Sequence, residues 1–344
     1  MIATTKIADI ADYIPEGKLS NDDLAALYPA WPATKIFDKT GIRTRGIAAA
    51  GETAGDLAFN AALKLFSNGV VRPADIDFII LCTQAPDHIL PTTACILQNR
   101  LGIPTTAGAL DVNLGCSGYV YGLSLAKGLI ETGSARCVLL LTADTYSKYI
   151  HPLDKSVRTL FGDGATATAL VADATTQASV GPFVFGTDGS GAEHLIVPAG
   201  GFRHPADAAS AAEHKDDSDN VRSANHLYMN GAEVMAFTLR EVPRSVSALL
   251  GKSNLAIEDI DYFVLHQANR FMLESLRKKL KIPAERMPVY LEEVGNTVSS
   301  TIPLTLNSMF KDGKLTSTKR LMLIGFGVGL SWSACILTIQ GIEK

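Results

Sequence analysis

The chain has 344 residues, 47% of them hydrophobic, enough apolar material for one large core or two ordinary ones. Charged residues make up only 19%, the net charge is −4 and there is no basic block, which argues against nucleic acid as a partner. No apolar run is long enough for a membrane span, Met1–Lys6 carries no secretion signal, and the five cysteines form no Cys-x-x-Cys pair. The expectation is a cytoplasmic protein with free thiols and no membrane partner.

In chain order, residues 6–13 read as a short strand, followed by a helix capped near Ser20-Asn21. Lys39 to Arg45 forms a basic turn, and Asp56 to Phe66 carries a helical pattern. Residues 76–81 read as a buried strand, Pro91 to Leu101 as a helix, and the apolar run 107–112 as another buried strand. Gly115-Cys116 then makes a tight turn into a helix marked by Val120, Leu123, Leu125, Leu129 and Ile130. Backbone N–H groups left free at a helix start, and the positive end of its dipole, favour a thiolate over a thiol. Gly115 and Gly118 are expected to let a substrate approach. A free cysteine is as often a buried, inert residue, and this stretch alone leaves both readings open.

Residues 136–142 read as the next apolar strand, and Phe161-Gly162-Asp163-Gly164-Ala165 as a glycine turn entering a strand over 165–171. That turn lacks the Lys and Ser/Thr of a phosphate loop and is read as structural. Residues 205–225, rich in Ala, Ser, Asp and His, read as a long exposed loop. His204, His214 and His226 lie in or beside it without metal-ligand spacing, so no metal is expected.

The second half repeats the first. Asp75 to Asp259 is an offset of 184, Cys116 to Asn296 is 180, and Gly133 to Gly313 is again 180. An apolar strand follows each copy, over 136–142 and over 319–324. Three matches in order at nearly one offset indicate a duplicated α/β unit, expected to form one pseudo-symmetric body with its site at the seam. The halves are placed at 1–175 and 176–344. Asn296 then occupies the helix-start position that Cys116 occupies in the first half. His266 emerges at the end of the strand over 261–265, on the edge where such sheets hold their sites. A thiol, an imidazole and an amide suffice for acyl transfer. Residues 325–332, Gly-Phe-Gly-Val-Gly-Leu-Ser-Trp, make either a loop that aims an N–H at an oxyanion or a plain turn into the closing strand 333–339.

Asn113-Leu114-Gly115-Cys116-Ser117-Gly118-Tyr119, His266-Gln267-Ala268-Asn269, Gly295-Asn296-Thr297 and the run from Phe326 to Trp332 closely resemble the 3-oxoacyl-acyl-carrier-protein synthase III family of the thiolase superfamily. Lys39-Thr40-Gly41-Ile42-Arg43 and Phe161 to Ala165 belong to the same pattern, and the similarity spans the chain. The resemblance implies a thiolase-like, five-layered αβαβα fold and a homodimer. It implies that Cys116 takes an acyl group from acyl-CoA, that His266 and Asn296 stabilise the enolate left when a malonyl-carrier thioester loses carbon dioxide, and that the backbone N–H groups of Cys116 and Val328 hold the oxyanion. No cofactor or metal is needed beyond the CoA thioesters themselves. Lys39, Lys155 and Arg270 fall at CoA- or carrier-binding positions, and Leu90 at the acyl pocket across the dimer.

Several positions depart from the family pattern. Lys39 replaces an arginine, Trp31 is displaced from the place of an adenine-stacking tryptophan, Phe271 replaces a carrier-binding arginine, and Leu90 stands where a phenylalanine is common. Leu90 is expected to admit acyl groups longer than acetyl. Relatives that acylate oxygen or nitrogen, or join two acyl chains head to head, often change the His or the Asn; this chain keeps both. Non-catalytic dimer partners lose the cysteine, which is present here.

Overall fold

The apolar run 78–82 has both faces covered. Ile79 and Leu81 pack to one side, Ile80 to the other, and all three are buried. Side chains alternate along a strand, so a strand covered on both faces reads as continuous apolar sequence. The computed structural model, which describes residues 4–174 and 179–340, arranges such strands in two sheets. The first contains β1 (Thr4–Tyr13), β2 (Phe78–Cys82), β3 (Gly108–Val112), β4 (Cys137–Asp144) and β5 (Gly164–Asp173), in the order β1-β5-β4-β2-β3. The second contains β6 (Ser179–Thr187), β7 (Tyr262–Leu265), β8 (Lys319–Gly327) and β9 (Ser331–Ile339), in the order β6-β9-β8-β7.

The two sheets share one plan. In the first, β5 runs antiparallel to β1 and β4, while β2 is parallel to β4 and β3. In the second, β9 runs antiparallel to β6 and β8, while β7 is parallel to β8. Among the described residues of these two sheets only β3 lacks a counterpart strand. The expected seam at 175/176 lies outside the described residues.

Six helices complete the layers. α1 (Ala54–Ser67) and α2 (Thr93–Arg100) cover the outer face of the first sheet, with Leu57, Leu65 and Leu97 against Ile79, Leu139 and Leu141. α4 (Gly231–Ser253) and α5 (Arg270–Leu280) cover the outer face of the second, with Leu249 and Leu276 among Phe263, Leu265 and Met322. Between the sheets lie α3 (Gly118–Glu131) and α6 (Thr301–Lys311), where Leu123, Ile302 and Leu306 share one cluster with Ile80, Leu140, Val264 and Leu323. The result is the αβαβα layering and internal duplication expected from the sequence. α1 starts before the expected position because Thr53 and Asp56 form a reciprocal cap.

The offset of 180 holds in three dimensions. Gly118–Glu131 is one helix, and its counterpart 298–311 is a 3-10 turn, Val298–Ser300, continued by α6. Gly133 and Gly313 both follow their helices at positive φ, 77° and 68°.

The stretch 205–225 differs from expectation. It is not a bare exposed loop, because His214–Lys215 pairs with Val221–Arg222 and Arg222 is only 6% exposed. The Arg222 guanidinium donates to Asp154 at 2.9 Å and also to Asp216, so two carboxylates replace its hydration. Polar composition hid this anchor, since a buried ion pair leaves no apolar signature. His226 stands edge-on to His151, 4.9 Å between ring centres, and His151 Nε2 lies 3.0 Å from Glu213. His204 and His214 are exposed. No helix among the described residues is long and apolar enough to cross a membrane.

Candidate active site

Cys116 lies two residues before α3, in the middle layer, and is 4% exposed. Its turn is held from the second sheet. Ser117 Oγ is 2.8 Å from Ser331 Oγ, and Ser333 Oγ donates to the Ser117 carbonyl at 3.0 Å. β8 crosses so closely that a Cβ on Gly325 would lie 2.8 Å from the Cys116 carbonyl oxygen, and one on Gly327 would lie 2.8 Å from Cys116 Sγ. Gly115 and Gly118 also serve close packing. A side chain at the first would strike Gln84 Oε1 and at the second Cys82 Sγ.

The expected resting thiolate is not what this environment favours. Burial pushes the Cys116 thiol up to about 12, and the Asp144 carboxyl adds to the rise. Asp144 is itself buried, which raises it to about 7, although it accepts from the Gln84 N–H and from Ser299. Two groups pull the sulfur the other way, the backbone N–H groups of Val328 and of Cys116 itself. These are the two donors that the family resemblance implies for an oxyanion.

His266 follows β7, and its own N–H donates to the Ile324 carbonyl at 2.8 Å. The ring is 2% exposed, edge-on to Phe326, and its Nδ1 is 2.7 Å from Thr301 Oγ1. Burial drives its pKa down to about 3, so the ring is neutral at ordinary pH. Asn296 is tied to the strand-like stretch at Phe161: its N–H donates to the Leu160 carbonyl and its carbonyl accepts from Gly162. Asn296 Oδ1 accepts the Val298 N–H at 2.9 Å, which leaves the amide's Nδ2 as a donor. Val298 makes that bond from a left-handed conformation, φ 55°, which is costly for a β-branched residue.

Cys116, His266 and Asn296 line one cavity, together with Phe161, Leu195, Met229, Phe326 and Gly327. The other expected residues lie elsewhere. Lys39 ends the helix Ala33–Thr40, with its ammonium 5.5 Å from the ring centre of Trp31 and that of Lys35 at 5.0 Å. Lys155 donates to the Ser218 carbonyl. Arg270 follows Asn269 on the cavity's rim, but it pairs with Glu292 at 3.1 Å and stacks on Phe37 beside Arg43. Leu90 is 79% exposed and does not line the Cys116 cavity of its own chain. Sequence reasoning missed Asp144 and Thr301. The first had a signal, a lone carboxylate at the end of an apolar strand.

The models of 3-oxoacyl-[acyl-carrier-protein (ACP)] synthase III and of its C-terminal part match residues 110–189 and 250–339. A crystal structure of a 3-oxoacyl-(acyl-carrier-protein) synthase III superposes with a TM-score of 0.97 at 66% identity, over 98% of this chain and 100% of that one. A 3-oxoacyl-(acyl-carrier protein) synthase from Burkholderia xenovorans LB400 gives 0.90 at 40% identity, over 98% and 94%. The beta-ketoacyl-[acyl-carrier-protein] synthase III of Caldanaerobacter subterraneus subsp. tengcongensis is 34% identical over 334 residues, 96% of each chain. With its duplicated sheets, its cysteine in the middle layer and this likeness along its length, the chain belongs to the 3-oxoacyl-acyl-carrier-protein synthase III family of condensing acyltransferases.

Proposed function

We propose that the protein joins an acyl-CoA primer to a malonyl-carrier thioester by decarboxylative Claisen condensation. One observation carries this reading. A buried cysteine, a neutral histidine and an asparagine with its donor end free face a single cavity. Cys116 Sγ attacks the primer's thioester carbon, the oxyanion is held by the N–H groups of Cys116 and Val328, and CoA leaves as the thiol with the proton Cys116 gives up. The malonyl thioester then loses carbon dioxide. The electron pair of the broken C–C bond passes to the thioester as an enolate, which accepts hydrogen bonds from His266 and Asn296. The enolate carbon attacks the acyl-Cys116 carbonyl, and the departing thiolate is reprotonated from solvent. Decarboxylation drives the step, and no metal or other cofactor is required.

The remaining roles belong to the same reading. Lys39 beside Trp31, with Lys155 and Arg270, serves the CoA nucleotide and the carrier. The active form is a homodimer in which Leu90 of one copy borders the acyl pocket of the other. Its support is the free edge of β3 and the exposure of Ile89 and Leu90, 80% and 79%. The halves 1–175 and 176–344 act as one catalytic unit in the cytoplasm. The test is the intact mass of the wild type and of Cys116→Ala after incubation with a panel of acyl-CoAs. The wild type gains one acyl group and the variant none; acyl mass on the variant would remove Cys116 from its role.

A further inference from the structure

A neutral imidazole carries one N–H, and the partner of one ring nitrogen decides which nitrogen holds it. Among the described residues the His266 ring has one side-chain partner, Thr301 Oγ1 at 2.7 Å from Nδ1, and both residues are 2% exposed. The condensation reading needs the proton on Nε2, the edge of the ring left to face the cavity, because a bare lone pair there would repel an enolate oxygen. That requires a donor at Nδ1. The Val298 carbonyl also lies near the ring, but a carbonyl can only accept and would draw the proton to Nδ1.

The Thr301 hydroxyl can donate, and it has two acceptors within reach: His266 Nδ1 at 2.7 Å and the Val298 carbonyl at 3.1 Å. That carbonyl already accepts the backbone N–H of Thr301. Directed to Nδ1, the hydroxyl leaves the carbonyl its backbone donor and frees the ring proton for Nε2; directed to the carbonyl, it would have to accept a proton held on Nδ1.

We propose that Thr301 is the positioning residue that fixes the His266 tautomer. Its hydroxyl donates to Nδ1, and the ring proton sits on Nε2, facing the substrate thioester. The proposal rests on the condensation reading of the site. Thr301 stands behind the ring and is not among the residues lining the cavity. One short segment thus aims both donors: the Val298 N–H turns the Asn296 amide, and the Thr301 hydroxyl sets the His266 proton.

The test uses the full-length wild type with Thr301→Val, which removes the hydroxyl at nearly the same shape, and Thr301→Ser, which keeps it. Three quantities are read: acyl mass gained from acetyl-CoA and octanoyl-CoA, carbon dioxide released from malonyl-CoA, and the nitrogen-15 shifts of His266. The valine variant is expected to load acyl groups within about twofold of wild type. Its decarboxylation kcat is expected to fall by roughly 10²–10³-fold with KM little changed, as on losing an oxyanion donor. Its ring proton moves to Nδ1, and serine restores both the rate and the Nε2–H signature. A wild-type ring protonated on Nδ1 overturns the proposal, even if the valine variant does not fold. So does a folded valine variant that decarboxylates at the wild-type rate. If the wild type takes no acyl mass from any acyl-CoA, the condensation reading fails instead, and the nitrogen shifts still decide the tautomer.

Discussion

His266 and Asn296 are assigned to the second half-reaction, so their alanine variants should separate the two. Each is expected to take the acyl group from acyl-CoA but to lose malonyl decarboxylation by roughly 10²–10³-fold. Variants that decarboxylate normally but no longer load would reverse the assignment. His266 also makes a pH prediction. Its ordinary pKa of 6.5 falls to about 3 in the fold through burial. Between these values the unfolded chain binds a proton that the folded ring refuses. The contribution is therefore complete above about pH 6.5 and is lost as pH falls toward 3, at roughly 1.4 kcal/mol per pH unit. Asp144, raised to about 7, acts in the opposite sense: its contribution is lost as pH rises from 3.8 through about 7. The difference between wild type and His266→Asn isolates the histidine, so the variant's Tm should fall less steeply below pH 6.5, and parallel curves would contradict this. At this scale Cys116, His266 and Asn296 were legible because each stands in a short marked stretch and two share the repeat offset. Thr301 was not, because its partner is 35 residues away and only the fold brings them together. The state of the Cys116 thiol was misread because the helix start shows in the sequence and the depth of burial does not.

The clearest lesson among elements is the crossing of β8 over the start of α3. Gly325 and Gly327 look like turn residues in the sequence, yet both lie in a strand pressed against Cys116. Gly327→Ala would place a methyl carbon 2.8 Å from both Cβ and Sγ of Cys116, inside contact distance. The variant is expected to fold, with a Tm a few degrees lower, and to load acyl groups about 10²-fold more slowly, since a shift near 1 Å at a reacting atom costs that much. Wild-type loading in a folded Gly327→Ala would show that the sulfur has room the structure does not show. Strands and helices were read well where apolar runs are long, as at 78–82 and 137–144. The 205–225 stretch was read poorly because its order comes from Arg222 and two carboxylates.

For the molecule as a whole, the duplication read from three offsets reappears as two sheets with one strand order, in which, among the described residues, only β3 lacks a twin. In the proposed homodimer a second copy covers Ile89 and Leu90, both exposed in the single chain. Ile89→Asp with Leu90→Asp should convert a dimer to a monomer in light scattering, whereas Leu90→Phe should keep the dimer and shift acyl preference from octanoyl toward acetyl. An unaltered mass in the double variant would place the dimer contact elsewhere. The middle-layer position of the nucleophile has one more consequence. Peroxide and small alkylating agents in solution attack thiolates that they can reach. Cys116 offers them a protonated sulfur, 4% exposed and walled in by β8. Only an electrophile that enters the cavity meets it.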